Sequence, residues 1–353
     1  MRALVLRDFY DIAVEERPEP QPRPGEVVVA VIATGICGSD FHGYSGENGR
    51  RHPGQVMGHE TVGRIDELGP GVAELAVGQL VTINPVMGCG TCAACRDDQQ
   101  QWCVRRKVLG VTPEISAAFA DRVAVRSENV VVLPESMPAE LGALVEPLAV
   151  GYHAVRRGDA TADDRILVIG GGPIGQACLL AAGRLGITNL AVSDVSSSRR
   201  DLCAKLGAQV IDPTADDMAE AVAARLGGPA NLVIDAVGVN RTLADAFAAS
   251  GLGSRIVLVG MGSPQLELSA YAVTTAERTL IGAFTYTADD FYQTATWVGT
   301  VPDGIEALID GRVGWDQAPQ SFDDLARGHS TASKILVFPQ GVPTVGSATQ
   351  ASR

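Results

Sequence analysis

Several absences narrow what this chain can be. No run of 18 uninterrupted apolar residues occurs, so nothing reads as a membrane-spanning helix. The start, MRALVLRDFY, reaches Arg7 before any apolar run attains the length of a signal-peptide core, so a cytoplasmic location is expected. Basic residues are outnumbered 28 to 41, a net charge of −13, which makes nucleic acid and anionic membranes poor partners. Seven cysteines are too few for a disulfide scaffold at this length, and no internal repeat is visible. What remains is a globular composition, 46% hydrophobic and 20% charged, with 353 residues to build two domains, each with its own core.

Residues 1 to 35 read as short strands split by the proline-rich EERPEPQPRPGE, which no helix could cross. VVVAVIATGIC is a buried strand that delivers Cys37 to its end, and GHETVGRIDEL and VGQLVTINP read as further strands. From about residue 139 apolar strands alternate with alanine-rich helices (RILVIGGG, PIGQACLLAAGRLG, NLAVSD, NLVIDAVG, RIVLVGMG), the pattern of βαβ units and a parallel sheet. After about residue 284 the alternation fades. AFTYTADDFYQTATWVG and PDGIEALIDGRV read as helices, SKILVFP as a closing strand, and GVPTVGSATQASR as a disordered tail.

Reactive side chains concentrate between residues 34 and 63, where Cys37, Ser39, Asp40, His42, His59 and Glu60 lie among glycines. Cys37 offers a thiolate, His59 an imidazole, and Glu60 or Glu146 a carboxylate, a donor set suited to a catalytic zinc with one position open. Glu146 sits in the mostly apolar GALVEPLAVGYHAV, where a carboxylate must be paired, metal-bound or used as a helix cap. Adjacent His59 and Glu60 cannot point the same way on a strand, so a turn or the metal must reconcile them. Asp40 is the nearest carboxylate to orient His59. Ser39 could take the proton of an alcohol and His42 carry it to water. His52, His153 and His329 have no such company.

Cys89, Cys92, Cys95 and Cys103 have the spacing of a closed tetrahedral site, so a structural zinc is expected, with an iron–sulfur cluster as its rival. Cys178 and Cys203 sit in apolar helical patterns and read as buried small hydrophobes. Gly170, Gly172 and Gly175 form G-x-G-x-x-G between a strand and an apolar helix, with Pro173 suited to the first helical turn. Asp194 ends the next strand, where a carboxylate accepts bonds from ribose hydroxyls and repels a 2′-phosphate. That favours NAD over NADP, while Arg199 and Arg200 nearby soften the preference.

With CGSDFH, GHETVGRIDELGPGV, the four-cysteine run, VEPLAVGYHA, GGGPIG and VSD in this order, the chain resembles the zinc-containing medium-chain alcohol dehydrogenase superfamily over nearly its full length. Glutamate at 146 is similar to the polyol (sorbitol-type) and threonine dehydrogenase branch. The resemblance implies an α/β architecture: a Rossmann domain over 148–284, and a mainly-β GroES-like catalytic domain over 1–147 and 285–353 with a zinc lobe at 88–108. It implies one catalytic and one structural zinc, and NAD-linked reversible oxidation of a secondary alcohol of a polyol, sugar or diol. Oxidation of a hydroxy-amino acid such as L-threonine is the alternative, and a non-catalytic relative a remote one. It further implies cofactor contacts at Ile174, Val259, Ala283 and Thr285, a proton relay through Ser39 and His42, and a substrate pocket near Tyr44, Phe284 and Thr285. A homotetramer, or less often a dimer, is the implied assembly. Where sorbitol-type members often carry F-R-Y, this chain has Phe284-Thr285-Tyr286, which puts a sorbitol-like substrate in doubt.

Overall fold

The structure, a computed structural model, describes residues 1–47, 49–330 and 332–343. The expected disordered tail lies outside the described residues from 344 onward. Two compact units form. The first comprises Met1–Glu146, Ala295–Pro302 and the chain from Ile309, and the second Pro147–Thr294 and Asp303–Leu308. No described helix is long and apolar enough to cross a membrane.

The first unit is organised around the strand Glu26–Gly35, EVVVAVIATG. β-branched residues suit a pleated surface; partners flank both edges of this strand, and it is apolar on both faces because apolar clusters cover both sides of the sheet. It pairs antiparallel with Glu60–Leu68 along most of its length, and with Arg122–Arg126 at its start and Ile335–Val337 at its end. The register sets Gly35 opposite both Glu60 and Leu336. Three strand ends that are far apart in sequence therefore meet at Gly35. Apolar side chains pack on both sides of this sheet, around Leu4, Phe119, Phe322 and Val337, and around Val29, Ile65, Ile83 and Val123.

The second unit is a six-stranded, all-parallel sheet in the order Gln209–Ile211, Leu190–Ser193, Ile166–Ile169, Ala230–Asp235, Ser250–Leu258, Thr279–Gly282. The first strand in sequence lies at the middle and the chain winds outward both ways, the order of dinucleotide-binding doubly wound sheets. ILVI and LAVS are fully buried, as strands covered by helices on both faces must be. Cys178 and Cys203 lie in this core, and burial pushes both thiols up to about 12.

The segment PDGIEALIDGRV is not the helix its sequence suggests. Only Ile305–Leu308 makes a 3₁₀ turn, and Gly311–Val313 is a strand parallel to Ile335–Val337. Gly304 in a left-handed conformation and Gly311 punctuate it, and sheet pairing outweighs the weak helical periodicity between them.

Candidate metal centres and cofactor site

The strand geometry builds the first centre. After Gly35 and Ile36, the chain turns at Cys37 into a short helix, Gly38–Tyr44, which carries Ser39, Asp40 and His42. His59 stands just before the strand that opens at Glu60. Gly58 has φ +99°, and a Cβ there would lie 2.7 Å from the Phe119 amide nitrogen. Only glycine takes that turn, and it frees His59 and Glu60 from strand alternation. The donor atoms of Cys37, His59 and Glu60 all lie within 4.8 Å of one another.

Asp40 ties these groups together. Its Oδ2 accepts the Cys37 amide at 3.2 Å, and its Oδ1 lies 3.5 Å from His59 Nδ1. Both side chains are buried. Burial opposes charge on each, but their mutual attraction prevails: Asp40 is held below the carboxylate range, and Asp40 and Cys37 raise His59 well above its usual value. Glu60 is bound by Lys334, whose Nζ donates to both carboxylate oxygens, at 2.6 Å to Oε1, and approaches the Ile36 carbonyl at 3.4 Å. Burial would lower the lysine's pKa, but Glu60, Cys37 and more distantly Glu146 raise it. A Cβ at Gly35 would collide with the Glu60 carboxylate, so glycine is needed there to make room for the pair. Glu146 is itself buried, at the start of the helix Val145–Arg157, outside the three-residue cluster. His42 is half exposed, with Nδ1 2.9 Å from Glu47 Oε2. Tyr44 is a core residue: its ring packs on Tyr10 and Phe322, and its hydroxyl bonds the Tyr10 carbonyl and Asp323.

The second centre is the four-cysteine lobe. All four sulfurs lie within 4.8 Å of one another, with Cys92–Cys95 at 3.5 Å and Cys89–Cys95 at 3.9 Å. Four thiolates about 2.3 Å from a tetrahedral zinc would be about 3.8 Å apart, so the spacing fits the ion. The backbone amide and hydroxyl of Thr91 pull the Cys89 thiol down to about 5, and Arg105 Nη2 donates to the same sulfur at 3.1 Å. Burial pushes the neighbouring Cys95 thiol up to about 11, so the metal-free lobe favours thiolate at Cys89 and opposes it at Cys95, and it is the sulfur geometry that suits a metal.

In the second unit the glycine motif follows the central strand. Gly170 has φ +95°, and a Cβ at Gly175 would strike the Gly170 carbonyl, so the third glycine lets the helix Pro173–Arg184 close on the strand. Asp194 Oδ2 accepts the Gly171 amide and Oδ1 the Ser196 amide, both at 2.7 Å. Arg199 Nη1 lies 3.9 Å from Asp194, while Arg200 bonds the Asp194 carbonyl and pairs with Asp212. Ile174, Val259 and Ala283 pack on the sheet core. Thr285 has φ +49°, rare for a β-branched residue, and a buried hydroxyl without a hydrogen-bond partner. Gly170, Asp194, Val259 and Ala283 all follow the carboxyl ends of parallel strands, where open α/β sheets bind their ligands. Phe284 is half exposed.

Sequence models of two families match the chain: "Alcohol dehydrogenase GroES-like domain" over residues 23–135 and "Zinc-binding dehydrogenase" over 173–300. "Probable D-xylulose reductase A" of Emericella nidulans is 30% identical, covering 94% of this chain and 95% of its own. The chain belongs to the zinc-binding alcohol dehydrogenase family. It is a dehydrogenase of the medium-chain superfamily, with zinc and a nicotinamide dinucleotide as its expected cofactors. Among solved structures, "short chain alcohol dehydrogenase (rspB)" from Escherichia coli CFT073, complexed with NADH, superposes with TM-score 0.88 at 28% identity over 96% of this chain and 99% of that one. A putative zinc-binding dehydrogenase from Sinorhizobium meliloti 1021, bound to NADP, gives the same figures.

Three features of this dehydrogenase escape a reading of the sequence. Lys334 is one; its only signal is a lone lysine entering the apolar closing strand SKILVFP. Arg51, buried beside Asp40, is the second. The third is His153, which has no legible company in sequence but is buried with Nδ1 2.6 Å from Asp290.

Proposed function

We propose that this dehydrogenase reversibly oxidises a secondary alcohol of a polyol, sugar or diol to the ketone, passing hydride to NAD. The convergence of Cys37, His59 and Glu60 carries the reading: three mixed donors, against four in the lobe, leave room for substrate at a metal. Zinc bound there would supply Lewis acidity that lowers the pKa of an alcohol hydroxyl. Cys37, His59 and Glu60 would hold it, and Glu146, buried at the start of the Val145–Arg157 helix, is the alternative carboxylate. Asp40 fixes the ring of His59. Lys334 pairs with Glu60 in a buried position, its ammonium donating to both carboxylate oxygens. Ser39 would accept the alcohol proton as it passes its own hydroxyl proton on, by way of the nicotinamide ribose hydroxyl, to His42, which reaches solvent and releases it.

NAD is favoured over NADP because Asp194, at the carboxyl end of the strand next to the glycine loop and with Oδ2 on the Gly171 amide, sets a carboxylate where a 2′-phosphate would meet it. The polyol class rests on the likeness to a D-xylulose reductase. A cytoplasmic homotetramer, or a dimer, completes the reading. The test compares native protein with Cys37→Ser. We expect two zincs per chain and polyol-dependent NAD reduction in the first, and in the second one zinc, no turnover and nearly unchanged NAD binding. Full turnover by Cys37→Ser with one zinc would refute the reading.

A further inference from the structure

Arg51 is among the largest fully buried side chains of the protein. It lies in the loop between the Gly38–Tyr44 helix and His59, and its Nη2 is 3.4 Å from both Asp40 Oδ1 and Ser39 Oγ. Its Nε and Nη1 are buried without a hydrogen-bond partner. Such a group is expensive: burying a guanidinium with unpaired N–H groups costs more than an apolar side chain of similar volume would. The fold nevertheless makes room for it. A Cβ at Gly43 would collide with Arg51 Cγ, so the helix carries glycine where the arginine stem passes.

What the guanidinium gains is position. Asp40 accepts the Cys37 amide and stands 3.5 Å from His59 Nδ1, an ion-pair distance at which no hydrogen bond is formed, so a buried carboxylate held by that one amide would be free to rotate away from the imidazole. Arg51 closes the remaining side of Asp40 Oδ1 and reaches the hydroxyl of Ser39 from the same nitrogen. We propose that Arg51 is a positioning residue: it locks Asp40 and Ser39 in one arrangement, so that His59 is presented to the metal in one ring orientation. The inference rests on the assignment of Cys37, His59 and Glu60 as zinc ligands.

The test uses the full-length, zinc-loaded protein and its Arg51→Met, Arg51→Lys and Gly43→Ala variants. Zinc release to a chelator is followed in time, with the two phases assigned by Cys37→Ser and Cys95→Ser, and the cobalt-substituted protein is read by its visible d–d bands. Loss of a group that orients a ligand costs roughly 10–100-fold in metal affinity, so release from the Cys37 site should quicken about that much in Arg51→Met. The four-cysteine phase should not change, the cobalt bands should shift, and Arg51→Lys should recover part of the effect. If Arg51→Met does not fold, Gly43→Ala, which displaces the arginine and keeps its charge, should give the same selective change. A lower melting temperature with both zinc phases and the cobalt bands unchanged would overturn the proposal. Native protein holding zinc only in the four-cysteine lobe would instead refute the ligand assignment, and the proposal with it.

Discussion

Replacing Lys334 with methionine tests how Glu60 is kept at the metal centre. The lysine and glutamate side chains are 3% and 1% exposed, and the ammonium donates to both carboxylate oxygens. Methionine fills much of the same volume but leaves the Glu60 carboxylate facing an apolar group. Removing one partner of a buried pair costs roughly 3–5 kcal/mol, because the other charge stays behind uncompensated. At roughly 2–4 °C per kcal/mol for a domain of this size, the zinc-free first unit should melt about 6–20 °C lower. Zinc should restore part of that loss, since a cation beside Glu60 replaces the missing ammonium. Adding Glu60→Gln should recover most of the loss in the zinc-free protein, as neither charge then remains, and the double-mutant cycle gives the coupling directly. The assay is thermal unfolding with and without zinc. A loss below about 1 kcal/mol, or a double variant no more stable than Lys334→Met alone, would refute the argument that this pair is buried and mutually dependent.

Other expectations follow from the same physics. Cys95→Ser should remove one zinc per chain and lower the melting temperature more than it alters turnover by the remaining protein; metal analysis with calorimetry decides, and an unchanged melting temperature would speak against a structural ion. Asp194→Ala should weaken NAD binding and narrow the preference over NADP, because the carboxylate that would repel a 2′-phosphate is gone while Arg199 stays; cofactor titration reads this. Asp290, despite its burial, is held down to about 2 by His153, Thr287 and Arg156, against an ordinary 3.8. A carboxyl depressed in the folded state stabilises above its unfolded value and loses that contribution as pH falls through the folded one, here between about 4 and 2. Asp290→Asn should thus cost roughly 1–2 kcal/mol near neutrality, allowing for solvent screening, and almost nothing near pH 2. Urea denaturation across that range measures it.

How far the sequence can be read depends on how local each feature is. The doubly wound sheet was legible because ILVI, LAVS and NLVID are short apolar runs separated by helical stretches, a signal contained within each unit. The glycine motif was legible because its strand and helix are contiguous with it. The helix at Gly38–Tyr44 was not: it is seven residues long, holds two glycines, and exists because the strand end and Asp40 shape it. Lys334 and Arg51 were invisible as neighbours of the candidate metal centre for another reason. Lys334 reaches Glu60 across 274 residues of sequence, through the pairing of Leu336 with Gly35. Arg51 reads as part of a polar loop, and only its burial against Asp40 shows that its charge is spent inside the protein. Tyr44 shows the reverse: its place beside CGSDFH suggests a pocket residue, while its hydroxyl is engaged by Tyr10 and Asp323 in the core.

On the proposed reading, a zinc site built from Cys37, His59 and Glu60 serves hydride transfer from a secondary alcohol to NAD. The most direct test of that reading is to incubate the zinc-loaded protein and NAD with polyols, sugars and diols deuterated at the carbinol carbon, and to follow the label into the reduced cofactor. We expect one deuterium per ketone formed on at least one vicinal diol or polyol, and none with Cys37→Ser. Cofactor reduction without label, or no turnover of any of them by protein holding both zincs and NAD, would contradict it.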